Sequence, residues 1–220
     1  LKSRNRRGTW QLSSNDIASN SSIDPTNIFL WRANRRRLDA EQLRDSVLMI
    51  SGQLDTSKGD AHPFPHWLTY FYRQHEPFVG DFECNKRSVY LFRQRIRKNR
   101  YLDLFDGPDG NLHVGTRRAT TTSLQSLYLL NSDFIVEQSQ AIAKRAAQFN
   151  STDESRLQWA YAHLFGRLPT DDELQSVNEL MRNIETQSSG TKHQLPTKAA
   201  DVWSTVIHSM LCSNEFLFID

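Results

Sequence analysis

The chain is poor in cysteine and glycine, has no long apolar run, and carries almost no net charge. Its two cysteines, Cys84 and Cys212, occur in neither C-x-x-C nor C-x-x-C-H. That excludes a thioredoxin-type redox pair and a covalently attached c-type haem in this segment. One disulfide in an oxidising compartment stays open, because bridging requires Cα atoms within about 7 Å and spacing alone does not show that. Nine glycines leave little material for backbone phosphate cradles, and neither G-x-x-x-x-G-K-S/T nor G-x-G-x-x-G is present. The G-x-S-x-G nucleophile elbow is missing as well. No run approaches the ~18 apolar residues needed to cross a bilayer, so no membrane span is expected. Leu1 to Arg7 carry charges with no apolar segment behind them, unlike a signal peptide. Without an initiator Met, the sequence reads as a piece of a longer chain.

What is present suits a folded protein. The 220 residues are 38% hydrophobic and 10% aromatic, enough for a buried core. At about 100–200 residues per domain, the length allows one large domain or two small ones. Net charge is +2, yet residues 1–118 hold 20 basic and 13 acidic side chains while residues 119–220 hold 7 and 12. Such a split suits an anionic partner for the first half or, more simply, two halves that attract each other.

Helical periodicity dominates. A polar lead-in over 1–22 precedes one mainly helical domain over 23–220. Asp39 with Gln42 makes a capping box, Leu43, Val47, Ile50 and Leu54 share a face, and Gly52 stops the helix. Residues 58–86 form an aromatic, proline-containing loop lobe, since Pro63, Pro65 and Pro77 prevent a long helix. Val89 to Phe92 is a candidate short strand, and 106–111 is turn chemistry. Thr122 with Gln125 caps a helix, and another follows over about 134–149. Asp153 caps a helix bearing Leu157, Tyr161 and Leu164, which Gly166 closes. Thr170 with Glu173 caps the next, Ser188-Ser189-Gly190 is a flexible link, and a last helix carries Trp203, Ile207, Met210 and Leu211. The fold class is mainly α: an irregular helical bundle with a long aromatic loop region and at most a small strand element.

Chemistry-bearing patterns are weak. His62 and His66 are four apart, but Pro63 and Pro65 forbid the helix that would align them, so no metal site is assigned. Asp106, Asp109 and Asn111 resemble half a calcium loop without its downstream glutamate. Arg117 and Arg118, ahead of Thr120-Thr121-Thr122, are candidates to hold an anion at a helix N-terminus; capping and solvated arginines are the plainer account. Lys86 to Arg100 holds seven basic residues and no acidic one, with Tyr90 and Phe92 interleaved. The small overall charge and the acidic second half weigh against nucleic acid as a partner. Trp67, Tyr70 and Tyr72 are candidates for stacking on sugars if exposed, and core if buried. Around Glu41, the spacings to Arg37, Arg44 and Asp45 read as surface ion pairs along one helix. Arg35 to Arg37 precede a positive helix end, so at least one is expected to pair bidentately with Asp24, Asp39, Glu215 or Asp220.

An ordered series of short segments adds a resemblance. Asp24-Pro25-Thr26-Asn27, Leu30-Trp31-Arg32, Asn34 to Glu41, Arg44-Asp45-Ser46 and Ser51-Gly52-x-Leu54-Asp55 come first. Arg87-Ser88-Val89-Tyr90, Leu104-Phe105-Asp106, Thr120 to Asn131, Gly166-Arg167-x-Pro169-Thr170 and Ser213-Asn214-Glu215-Phe216-Leu217 follow. Over about residues 10–220 the chain resembles the C-terminal domain of unknown function of large secreted planctomycete proteins. In those proteins it follows a second uncharacterised domain and often a planctomycete cytochrome c domain. The resemblance implies a bacterial source, a periplasmic, envelope or secreted location, and an association with polysaccharide use. It implies no cofactor in this segment; haem would belong to a separate domain.

The expected function is a helical module of a larger protein, serving interdomain packing with other domains of the same chain and binding glycan or protein. The alternative is part of a hydrolytic or redox-coupled enzyme completed by the preceding domain, with Arg37, Asp39, Glu41, Arg44, Asp45, Asn214 and Glu215 as its charged and polar candidates. A structural ion-pair network joining the helix start to the C-terminal end is the plainer role for those seven.

Overall fold

Asp39 starts the helix that organises the fold. In the computed structural model, described over residues 12–59, 84–91, 93, 95, 98–149, 152–190 and 202–219, it is the N-cap of α2 (Ala40–Ser51). Gln42 Oε1 accepts the Asp39 N–H at 3.1 Å, the return half of the capping box. Gly52 ends the helix at φ 77°, a left-handed conformation that glycine adopts without a Cβ clash. Before it lie α1 (Ala18–Ile23) and the two-residue β1 (Arg36–Arg37). After it come α3 (Arg100–Leu104), α4 (Ser123–Asn131), α5 (Asp133–Phe149), α6 (Asp153–Leu164) and α7 (Asp171–Gly190). The chain closes with α8 (Val202–Leu211), α9 (Asn214–Leu217) and β2 (Phe218–Ile219).

Caps explain most boundaries. Thr122 Oγ1 accepts the Gln125 N–H at 3.3 Å, and Gln125 Oε1 accepts the Thr122 N–H at 3.0 Å. Thr170 and Glu173 repeat the exchange at the start of α7, with 3.3 and 2.8 Å. At α6 the cap is Thr152 rather than the expected Asp153, because the Thr152 hydroxyl reaches the Ser155 N–H at 3.3 Å.

The core lies where α5 packs against both α2 and α8. Leu43, Val47 and Leu48 of α2, Ile135 and Ile142 of α5, and Val206, Ile207 and Leu211 of α8 are buried. Leu157 and Leu164 of α6, Met181 of α7 and Phe216 of α9 extend the same cluster. His208, buried on α8, places Nε2 2.9 Å from the Leu129 carbonyl oxygen and so ties α8 to α4. Among the described residues, no helix is long and apolar enough to cross a membrane.

Mainly α architecture with a small strand element is what the structure shows, but the strand lies elsewhere. β1 pairs antiparallel with β2, Arg36 opposite Ile219 and Arg37 opposite Phe218. The expected strand start at Val89 is a single 3-10 turn over Ser88–Tyr90, because the Ser88 N–H and hydroxyl bind a carboxylate of α2 instead of a strand partner. The link expected at Ser188-Ser189-Gly190 is helical, the last turn of α7. A short helix, α1, occupies the end of the polar lead-in, with no buried residue.

Among the described residues, several ion pairs stay within one half rather than crossing to the other. Arg37, Arg44, Lys86, Arg93, Lys98 and Arg117 meet carboxylates of the first half, and Arg156 and Arg167 meet carboxylates of the second. The halves join through apolar packing and neutral or singly charged hydrogen bonds. Ser51 Oγ donates to Gln138 Oε1 at 2.6 Å, and Arg145 Nη1 donates to the Ile50 carbonyl at 2.7 Å, closing the C-terminus of α2.

Candidate functional site

The charged candidates separate into four clusters. The first is a clamp. Arg44 lies on the buried side of α2, its side chain 10% exposed. Nη1 donates to the Lys86 carbonyl at 2.9 Å and to Ser88 Oγ at 3.3 Å, and Nη2 donates to the Cys84 carbonyl. Asp45 Oδ1 accepts the Ser88 N–H at 2.8 Å and its hydroxyl at 2.6 Å. Two adjacent residues of α2 thereby hold the segment 84–88, and Asp55 continues the attachment through an ion pair with Lys86 at 3.1 Å. These groups fix backbone. Their donors and acceptors are engaged within the chain.

The second cluster faces solvent. Glu41, in the first turn of α2, accepts from Arg93 Nη2 at 2.7 Å and from Arg117 Nη1 at 2.6 Å, and Arg117 also lies 3.8 Å from Asp39. The partners come from 52 and 76 residues away, not from Arg37 or Arg44 along the helix. Burial pushes the Glu41 carboxyl up, but the two guanidiniums outweigh it and hold it below the ordinary range. It stays ionised, unsuited to donating a proton at neutral pH. Glu41, Asp39, Asp45, Arg87, Arg93 and Arg117 line an open cleft of about 920 Å³, with Met49 and Val89 among its apolar walls.

Arg37 belongs to a third cluster. Nη1 donates to Gln125 Oε1 at 2.9 Å and to the Thr120 carbonyl, and lies 4.0 Å from Asp106 Oδ2. Asp106 also accepts the Thr120 N–H at 2.8 Å and its hydroxyl. Of the three arginines 35 to 37, at least one of which is expected to pair bidentately with Asp24, Asp39, Glu215 or Asp220, Arg37 makes a single long contact with Asp106. Three of those four carboxylates are otherwise engaged or placed: Asp24 on backbone N–H groups, Asp39 beside Arg117, and Glu215 on Arg167. Asp220 lies outside the described residues. Asn214 is exposed beside the Arg37 pocket, while Glu215 points into the fourth cluster.

There Arg167 sits between two carboxylates. Nη1 and Nη2 donate to Glu173 at 2.7 and 2.5 Å, and Nε and Nη2 donate to Glu215 at 2.6 and 2.9 Å. Its guanidinium also lies 5.2 Å from the Tyr161 ring centroid. Gly166-Arg167 and Ser213 to Leu217 are both segments of the family resemblance, but the 48 residues between Arg167 and Glu215 give no local sign that the two pair. The Arg167 hydrogen bonds hold the Glu173 carboxyl at about 2. A carboxyl lowered on folding stabilises the protein above its unfolded value and loses that contribution as pH falls through the folded one. Stability is therefore expected to drop from about pH 4.3 towards pH 2, and Glu173→Gln should flatten that part of a urea-midpoint profile. An unchanged profile in the variant would show that the pair contributes nothing.

Other candidates place as follows. Arg118 is exposed, and Thr120 and Thr122, proposed as anion ligands beside it, serve Asp106 and the α4 cap. Trp67, Tyr70, Tyr72 and the histidines 62, 66 and 75 lie outside the described residues. Asp109 accepts the Asn111 N–H at 2.9 Å and pairs with Lys98 at 3.6 Å, a turn rather than a ligand set. Among the described residues no group of three His, Cys, Asp or Glu side chains is placed to hold a metal. Cys84 and Cys212 are free thiols, and burial pushes Cys212 up to about 11.

The fold and these clusters define a mainly helical module whose charged side chains chiefly fasten its own segments. Residues 7–181 match the PSD1 family, described as a protein of unknown function (DUF1553), and the chain belongs to that family. No curated protein and no solved structure matches the chain.

Proposed function

We propose that this chain is a non-catalytic helical module of a larger extracytoplasmic bacterial protein, packing against the domain that precedes it. One observation carries the reading: a rigid turn that displays apolar side chains. Asp24 accepts the N–H groups of Ile28 and Phe29 at 3.0 and 2.8 Å. Asn27, itself buried, donates from Nδ2 to the Arg32 carbonyl at 2.8 Å and to Asn34 Oδ1 at 3.0 Å. Asn27 and Leu30 adopt φ of 57° and 53°, a conformation costly for leucine. The turn keeps Ile28 and Phe29 76% and 79% exposed. Holding apolar groups in water by a buried polar network and an unfavourable backbone suits a preorganised contact with another folded surface. Leu124, Leu127 and Leu130 of α4, all more than half exposed on a helix without a charged residue, add a second apolar face.

The candidate catalytic residues support the same side. Arg37, the Arg44 and Asp45 pair, and Glu215 are engaged internally in three separate clusters, and Glu41 is held ionised between two arginines. Asp39, Glu41 and Asp45 line one open cleft, whereas Arg37, Arg44 and Glu215 are not among its lining residues. The open cleft at Glu41 suits recognition of a polar partner such as glycan more than proton transfer.

The test compares Ile28→Ser/Phe29→Ser in the longer protein and in the 220-residue chain. In the latter the exposed substitutions should change stability by about 0.5 kcal/mol or less. In the longer protein they should accelerate proteolysis between the domains, and residues 24–32 should exchange amide hydrogens more slowly than in the isolated chain. Equal exchange in both contexts, with unchanged proteolysis, would sink the packing role.

A further inference from the structure

Arg37 has a feature that fastening the fold does not explain. Its side chain is 8% exposed. Among the described residues, its hydrogen bonds and ion pair all fall on Nη1, with Gln125 Oε1, the Thr120 carbonyl and the long approach to Asp106, while its guanidinium carbon lies 5.5 Å from the Phe105 ring centroid. Nε and Nη2 make no hydrogen bond to any described residue. A buried guanidinium with unsatisfied donors is costly unless an acceptor reaches it. Gln125 cannot turn to supply more, because Oε1 also accepts the Thr122 N–H at 3.0 Å and Nε2 donates to the Leu104 carbonyl at 2.8 Å.

Beside this guanidinium is a pocket of about 130 Å³ between the N-terminal half of α4 and the α9–β2 end of the chain. Arg37, Gln125, Ser126 and Asn214 give it a polar side, and Leu217 and Phe218 an apolar one. Among the described residues that line it, Arg37 supplies the only formal charge. Asp106 is not among them, and its oxygens already accept from Thr120. Cys212, at the same wall, stays a neutral thiol because burial raises it to about 11. At roughly 30 Å³ per water the space takes about four waters, or one carboxylate on a stem of a few carbons.

We infer that this pocket binds a small organic carboxylate, its head on the Arg37 guanidinium and its apolar stem against Leu217 and Phe218. Arginine presents parallel N–H donors that match a carboxylate edge, and the burial of the Arg37 side chain strengthens the pairing. A neutral amide of the same shape lacks that charge and is disfavoured. The site is separate from the apolar turn at Ile28 and Phe29 that carries the packing role, and shares only Leu130 with the exposed α4 face.

The test is a titration of the protein with butyrate and, in parallel, butyramide, followed by amide shifts of Ser126 and Asn214 in nitrogen-labelled NMR spectra. Butyrate should give saturable shifts there, and butyramide should bind about tenfold or more weakly, the loss of a charge-assisted hydrogen bond. Ser126→Trp, at an exposed position on the pocket wall, should keep the fold and block butyrate. Preserved helical circular dichroism with lost binding supports the site. No saturable butyrate shifts, equal affinity for butyramide, or undiminished binding in folded Ser126→Trp would each overturn it.

Discussion

Replacing Ile142 by alanine is expected to destabilise the protein by about 2–5 kcal/mol, lowering the melting temperature by roughly 10 °C. Ile142 is fully buried on α5, the helix that packs against both α2 and α8. Removing its branched side chain loses the transfer free energy of the buried carbons. It also leaves a cavity that three helices, fixed by their caps, can close only in part. Leu168→Ala is the control, since Leu168 is 67% exposed and should cost about 0.5 kcal/mol or less. Urea melts of both variants decide it. Equal midpoints would mean that the α2–α5–α8 contact is not the centre of the core.

Arg44→Met should be nearly as damaging, for a different reason. Methionine keeps much of the apolar stem, so packing on α2 is largely retained. What is lost is the charge that satisfies the Cys84 and Lys86 carbonyls and neighbours Asp45 at 3.7 Å. Removing one member of a buried charged network costs about 3–5 kcal/mol, because the remaining polar groups stay buried without their partner. The effect should be local as well as global. Amides of residues 84–91 are expected to exchange faster in the variant, while those of α5 follow only the overall loss of stability. A midpoint no lower than that of Arg118→Met, at an exposed position, would refute the clamp.

This clamp shows where reading a linear chain stops. Arg44-Asp45-Ser46 and Arg87-Ser88 both stand out in the sequence, yet nothing in their spacing says that they meet. They meet because the chain after α2 returns along it. In the same way, the spacing of Arg37, Glu41 and Arg44 suggested ion pairs along one helix surface. Glu41 instead faces Arg93 and Arg117, while Arg37 turns to Gln125 and Asp106. An i,i+4 pair contributes only a few tenths of a kcal/mol, so a better-placed distant partner displaces it. The strand was misplaced for a related reason. Among the described residues, the β-favouring residues at 89–91 pair with no strand, whereas Arg36 and Arg37, with no marked strand preference, pair with Phe218 and Ile219.

The sequence by itself determined the helices and much of their ends. Capping boxes at Asp39, Thr122 and Thr170, the glycine after α2, and apolar residues at steps of three and four act within one turn of their own helix, so they are visible without knowing the fold. Only the tertiary structure decided which carboxylate meets which arginine, that α5 packs its apolar residues against α2 and α8, and that the Asp24 and Asn27 turn holds Ile28 and Phe29 in water. Those outcomes depend on side chains far apart in sequence brought within a few ångströms. Distances of that kind follow from helix packing, and no local pattern encodes them.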